Sequence, residues 1–383
     1  MIYLDNNATT QILPEVRDVM MPYLDENFGN PSSVHSMGRQ AREAVESARD
    51  HVAALLGASD RDEVIFTSSG TESDNWAIFA AAQANDGRGH VITTAVEHEA
   101  VRKACDRLED NGLRVTRLSV DQSGQIDEAE LESALTPETT IVSIMHANNE
   151  TGVLFPIERL AEIVKGRSKV LFHSDGVNAA GKVPISLGNS AIDLYSISGH
   201  KFHAPKGVGA LWKKRGVELP SIFEGGGQEH GLRPGTEAVH QIVGLGAAAR
   251  SAGDLSPMDR VRSLRDLMEN WILEKIPDSR LNGSKDPLMR LPNTSNVSFE
   301  NTNGEAILAR LDDAGICVST GSACASTEKS VSPVLQAMDI PFSYAMGSIR
   351  ISLSRYTKNE EIEELLVQLQ RVVRDLREIS MQE

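Results

Sequence analysis

From about Ser36 to Val217 the chain alternates between helical and extended hydrophobic patterns. Ala41, Val45, Ala48, Val52, Leu55 and Leu56 recur three or four residues apart, which predicts an amphipathic helix with one buried stripe. Short apolar runs at 63–67, 90–95, 140–146, 169–173, 191–198 and 207–212 read as buried strands. Helical segments at 100–111 and 157–165 lie between them. Strands and helices taken in turn predict an α/β fold whose mostly parallel sheet is covered on both faces.

After Gly253 the pattern changes. A long helical segment (257–275) leads to shorter strands around 295–299 and 349–353. A closing helix is apolar at Ile362, Leu365, Leu366, Leu369, Val372, Val373 and Leu376, with Thr357 and Glu360 in capping-box register at its start. We expect a large domain over 15–256. A smaller α+β domain is expected over 257–383, joined by residues 1–14.

Composition narrows the functional classes. Hydrophobic residues are 40% and charged residues 24% of 383, enough for a sizeable core. The formal charge of −16 argues against a nucleic-acid-binding surface, though not against a small anionic ligand. No apolar run approaches the roughly 20 residues that span a bilayer. The opening MIYLDNNATT turns polar at once, unlike a signal peptide. Cys105, Cys317 and Cys324 form neither a CxxC nor a zinc pattern. Together these features predict a cytoplasmic protein with reduced thiols and no intrinsic metal.

Four segments could carry chemistry. The turn Ser68-Ser-Gly-Thr71 follows a strand and opens a helix, so its N–H groups suit an anion; an ordinary strand–helix turn using Gly70 would look the same. Ser198-Gly-His-Lys201 ends another strand, where open α/β sheets place ligands. A lysine there is placed to form a Schiff base, with Ser198 and His200 as phosphate anchors; a surface loop lysine is the alternative. Asp175, in Phe172-His-Ser-Asp, is either a partner for a pyridine nitrogen or a turn aspartate. Cys324 lies among small and hydroxylated residues, which suits an exposed nucleophile, whereas Cys105 and Cys317 read as buried and inert. Arg350, between Ile349 and Ile351, reads as an inward fork for a carboxylate, and His98 as a ring-stacking or plain loop residue.

These segments resemble the class V, fold-type I pyridoxal-phosphate (PLP) enzymes, specifically the NifS/IscS-type group I cysteine desulfurases. The likeness runs through Tyr3-Leu-Asp-Asn-Asn-Ala-Thr-Thr10, Phe28-Gly-Asn-Pro-Ser-Ser-Val-His35, Phe66–Asn75, Asn148-Asn-Glu-Thr-Gly152, Ser198–Lys201, Gly231-Leu-Arg-Pro-Gly-Thr236 and Gly321-Ser-Ala-Cys324. It implies a seven-stranded, mostly parallel sheet in the large domain and a homodimer. It implies Lys201 as the Schiff-base lysine and general base, Asp175 on the pyridinium, and His98 stacked on the ring. Gly70, Thr71, Ser198, His200 and a partner-derived Thr236 would bind the phosphate. Asn149 and Arg350 would hold the substrate carboxylate, and Cys324, in the small domain, would accept sulfur as a persulfide. Asn178 stands where the family usually has glutamine against the cofactor's phenolic oxygen.

The implied reaction converts L-cysteine to L-alanine and passes sulfur to an acceptor: an iron–sulfur scaffold (with Cys324 as a transient cluster ligand), tRNA thiolation or DNA phosphorothioation. A selenocysteine lyase, an aminotransferase and a protein that mainly docks sulfur acceptors are the alternatives.

Overall fold

The computed structural model describes residues 1–83, 89–166, 170–320 and 331–380. Strand β1 (Ile2–Tyr3) opens the chain. The next seven are β2 (Val64–Thr67), β3 (His90–Thr94), β4 (Arg114–Leu118), β5 (Thr139–Ser143), β6 (Leu171–Asp175), β7 (Leu194–Ser198) and β8 (Gly209–Lys213). They form one sheet in the order β2-β8-β7-β6-β5-β3-β4. Only β8 runs against its neighbours; all other pairings are parallel. The α/β fold with a mostly parallel seven-stranded sheet is therefore as expected.

Several bounds shift, for physical reasons. The 169–173 run becomes Leu171–Asp175 because Asp175 still pairs with Ser196 of β7. The 191–198 run starts at Leu194, since Asp193 turns its carboxylate to the Phe172 N–H. Strand β4 has no apolar run of its own: it pairs on one side only and most of its residues are partly exposed. The helix Val239–Ala252 also escaped the periodicity, being Gly- and Ala-rich and buried almost all round.

Helices cover both faces of the sheet. The helix Ser36–Leu56 buries Ala41, Val45, Ala48, Val52 and Leu56 beside Val239–Ala252 on one face. It stops at Gly57, whose φ of 59° is the left-handed cap that glycine takes without strain. The helices Gly70–Gln83 and Glu99–Asp110 pack on the other face with Ile65, Val91 and Ile141.

A separate core gathers the helices Pro257–Lys275, Gly304–Asp313 and Asn359–Ser380 over β9 (Ser279–Leu281), β10 (Thr294–Phe299) and β12 (Ser348–Ser352). The N-terminus joins this core: Leu4 is buried in it, and β1 pairs with β11 (Ile316–Cys317). The capping box at the last helix differs from expectation. Thr357 accepts from the Ser354 N–H, and Glu361, one residue beyond Glu360, accepts from the Lys358 N–H. No described helix is long and apolar enough to cross a membrane.

Candidate active site

The parallel strands deliver their carboxyl ends to one cavity of about 300 Å³. Gly70, Thr71, His98, Asn149, Asp175, Asn178, Ser198, His200, Lys201 and Arg350, all singled out by sequence, line it. Thr236 is exposed and not among the lining residues, and Cys324 lies outside the described residues. Cys105 is buried as expected, and burial pushes its thiol up to about 12. Cys317 differs: it is half-exposed at a strand edge, with Sγ 4.0 Å from Asp312.

Each lining group has a local reason for its place. Lys201 sits in a short turn straight after β7, and its Nζ donates to the Asn7 and Ala8 carbonyls at 2.6 and 3.0 Å. Asp175 ends β6 and accepts from the Val177 N–H at 2.9 Å. Burial raises the Asp175 carboxyl, opposed by His98, the Val177 N–H and Lys201.

His98 caps the helix Glu99–Asp110 by accepting from the Ala100 N–H through Nδ1. Burial lowers its pKa, so the neutral ring keeps its proton on Nε2. His200 is held through Nδ1 to Thr9, and burial, with Lys201 next, lowers it to about 4. Gly70 begins the helix Gly70–Gln83, whose positive end faces the cavity. A Cβ at Gly70 would meet Val177 Cγ2 at 2.5 Å, so the cradle depends on its absence.

Arg350 is buried in β12, between the two cores. It donates to the Asn149 carbonyl at 3.1 Å and the Asp5 carboxylate at 2.7 Å. Sequence reading gave no role to Asp5, Asn7 or Asp74, although the Tyr3–Thr10 and Phe66–Asn75 segments that contain them carry the resemblance. Asp5 and Asn7 act only because the N-terminal segment crosses to Arg350 and Lys201. Asp74 is almost wholly buried, and its lack of a solvent face on its helix is the signal that could have marked it.

The residues present fit PLP. Hydroxyls, a neutral imidazole and a helix N-terminus gather at the Gly70–Thr71, Ser198 and His200 end, which suits a phosphate. A carboxylate, an imidazole and an amine line the rest. Among the described residues, Asn178 Oδ1 and Asp74 Oδ1 are buried without a hydrogen-bond partner, in a wall that a polar ring would complete.

The aminotransferase class-V family model matches residues 2–365. The chain belongs to that family. It is 51% identical over 380 residues to cysteine desulfurase 2 of Trichormus variabilis, covering 99% of this chain and 94% of that protein. It is 48% identical over 381 residues to the cysteine desulfurase NifS of Azotobacter vinelandii, with the same coverage. Among solved structures, a NifS-like protein superposes with a TM-score of 0.91 at 37% identity, over 98% of this chain and all of that one.

Proposed function

We propose that this class-V protein is a PLP-dependent cysteine desulfurase, and that its cavity removes sulfur from L-cysteine to leave L-alanine. The observation that carries the site reading is one cavity wall holding Lys201, Asp175, His98 and Arg350 together. When bound, PLP supplies an aldehyde for the amino group and a ring that withdraws electrons from Cα.

The chain's own groups do the rest. Lys201 tethers the cofactor and, once released, takes and returns the proton at the substrate Cα. Asp175 would keep the ring nitrogen protonated, and His98 would stack on the ring. Gly70, Thr71, Ser198 and His200, with Thr236 of the partner subunit, would hold the phosphate. Asn178 would contact the phenolic oxygen. Arg350 and Asn149 orient the substrate carboxylate. The Cys324 thiolate forms a bond to the substrate sulfur as the Cβ–S bond breaks, giving a Cys324 persulfide and alanine.

Residues 15–256 would form the cofactor-binding unit, and 1–14 with 257–383 the smaller one. The site's need for Thr236 of the partner subunit makes the working form a homodimer. Met21, Leu24, Phe28 and Val34, exposed along one stretch of chain, support such an interface. The protein would work in the cytoplasm and pass its sulfur to an iron–sulfur scaffold or another acceptor protein.

The test is direct. The PLP-loaded protein, given L-cysteine and dithiothreitol, should release alanine and sulfide in equal amounts; cysteine consumed without alanine would sink the reading.

A further inference from the structure

Asp74 lines the same cavity as Asp175, and nothing in the reaction above uses it. It comes from the first turns of the helix Gly70–Gln83, which packs on β6. Alternation along β6 places His173 and Asp175 on one face of the sheet, the face this helix covers. A row of polar side chains crosses that otherwise apolar face. Ser143 of β5, opposite His173 in register, lies 2.8 Å from His173 Nδ1. Ser196 of β7, opposite Asp175, lies 2.9 Å from His173 Nε2. Asp74 Oδ1 is 3.6 Å from that same nitrogen.

Ser143, His173, Ser196 and Asp74 are all essentially inaccessible to solvent. Buried polar side chains in an apolar layer are costly unless satisfied; the Ser143–His173 and His173–Ser196 hydrogen bonds satisfy three of them, and Asp74 lies alongside. They have no exposed end. The row stops at the cavity wall beside Asp175.

Resting on the PLP reading above, we propose that Asp74, anchored on the Ser143–His173–Ser196 row, is a positioning residue that fixes Asp175 against the cofactor's ring nitrogen. The electrostatics agree. Asp175, Glu97, His173 and Ser196 face Asp74. Burial, and then Asp175, push the Asp74 carboxyl well up, and burial keeps His173 neutral at about 3. Asp175, by contrast, faces His98 and Lys201. Asp74 is thus the more strongly raised carboxyl of the pair, in the direction of a neutral donor. In that form it can donate a hydrogen bond, and it carries no charge to compete for the ring's proton.

The test compares Asp74→Asn, which keeps a neutral donor, with Asp74→Leu, which removes it. The readouts are the nitrogen resonance of ¹⁵N-labelled PLP bound to each protein and the affinity of the apo-protein for PLP. Asp74→Asn should keep the protonated-ring resonance and bind PLP within about threefold of the parent. Asp74→Leu should move the resonance towards neutral pyridine and weaken PLP by about tenfold, the scale of one lost buried hydrogen bond.

Parent-like behaviour of Asp74→Leu overturns the proposal, as does loss of ring protonation in Asp74→Asn. Should Asp74→Leu fail to fold, as judged by apo-protein melting, His173→Gln is measured in its place. A partial loss of PLP affinity then supports the row, and an unchanged affinity overturns it. If the parent itself takes up no PLP, the cofactor reading falls as well; if the parent binds and only the variants disagree, the role of Asp74 alone falls.

Discussion

Arg350 and Asp5 are joined at 2.7 Å, so the strand β12 and the N-terminal segment share one guanidinium at the cavity wall. The Asn149 carbonyl takes a second donor of the same fork. Both partners fix the plane of the group while leaving Nε without a partner among the described residues. A lysine could not hold that plane, because an ammonium is a point charge without a fork. Arg350→Lys should therefore raise KM for cysteine by about tenfold, the worth of one charge-assisted bond. PLP affinity should stay near that of the parent. Steady-state alanine formation and a cofactor titration would separate the two.

Gly70 and Val177 make a steric prediction. Gly70→Ala would press a methyl onto Val177 Cγ2 at 2.5 Å, at the turn proposed to receive the phosphate. Overpacking of this kind costs roughly 1–3 kcal/mol, so PLP binding should weaken about tenfold or more. The double variant Gly70→Ala/Val177→Ala should recover part of that loss in the same titration. Failure of the smaller partner to help would mean the helix N-terminus itself had been disturbed.

For Cys324 the expectation rests on its chemistry. Cys324→Ala should keep the cofactor's absorbance and affinity while alanine formation falls about a hundredfold or more, because the nucleophile is gone. Cys105→Ala should leave the rate unchanged, its thiol being buried and held protonated at about 12. Full activity in Cys324→Ala would remove that residue from the reaction.

Much of this site could be read from the chain because each group sits at the end of an apolar strand. Lys201, Asp175 and His98 are each adjacent in sequence to a run whose burial is unmistakable. The parallel order of those strands then brings their ends together without further information. Asp74 and the Ser143–His173–Ser196 row could not be found that way. Their meaning depends on which face of β6 meets which helix, and that follows from register between strands distant in sequence. The contribution of Asp5, Asn7 and Ala8 is similarly tertiary: backbone carbonyls and one carboxylate become functional only because the chain's first residues cross to Lys201 and Arg350.

A buried ion pair ties the turn at Glu229–Gly231 to the helix Ser36–Leu56. Arg49 donates from both Nη atoms to Glu229 at 2.7 Å, and Glu229 also accepts from the Phe66 N–H. Both side chains are almost wholly enclosed. Removing one partner leaves the other charge buried and unpaired, which costs about 3–5 kcal/mol. Arg49→Met should lower the urea midpoint accordingly. The double variant Arg49→Met/Glu229→Leu should recover much of the loss, because no lone charge remains.

Two buried groups should give the apo-protein opposing pH slopes. His173 is held at about 3, well below its ordinary 6.5, because burial disfavours the imidazolium. The unfolded chain takes that proton first. The stability His173 contributes is therefore whole above pH 6.5 and drains away as pH falls, by about 3 kcal/mol over the two units to pH 4.5. Glu97 is raised by burial from 4.5 to about 8, against the hydrogen bonds from the Met145 N–H and Thr94. Its contribution is whole below pH 4.5 and is lost as pH rises through 8. Between pH 4.5 and 6.5 the two slopes oppose, while His90, His146 and His200, each lowered by burial to about 4, add to the slope of His173. Single variants expose each slope. Relative to the parent, His173→Gln should gain about 3 kcal/mol on going from pH 6.5 to 4.5, and Glu97→Gln should gain about 3 kcal/mol on going from pH 5.5 to 8. Urea midpoints at these four pH values test both, and a difference from the parent that stays flat with pH would remove that group from the account.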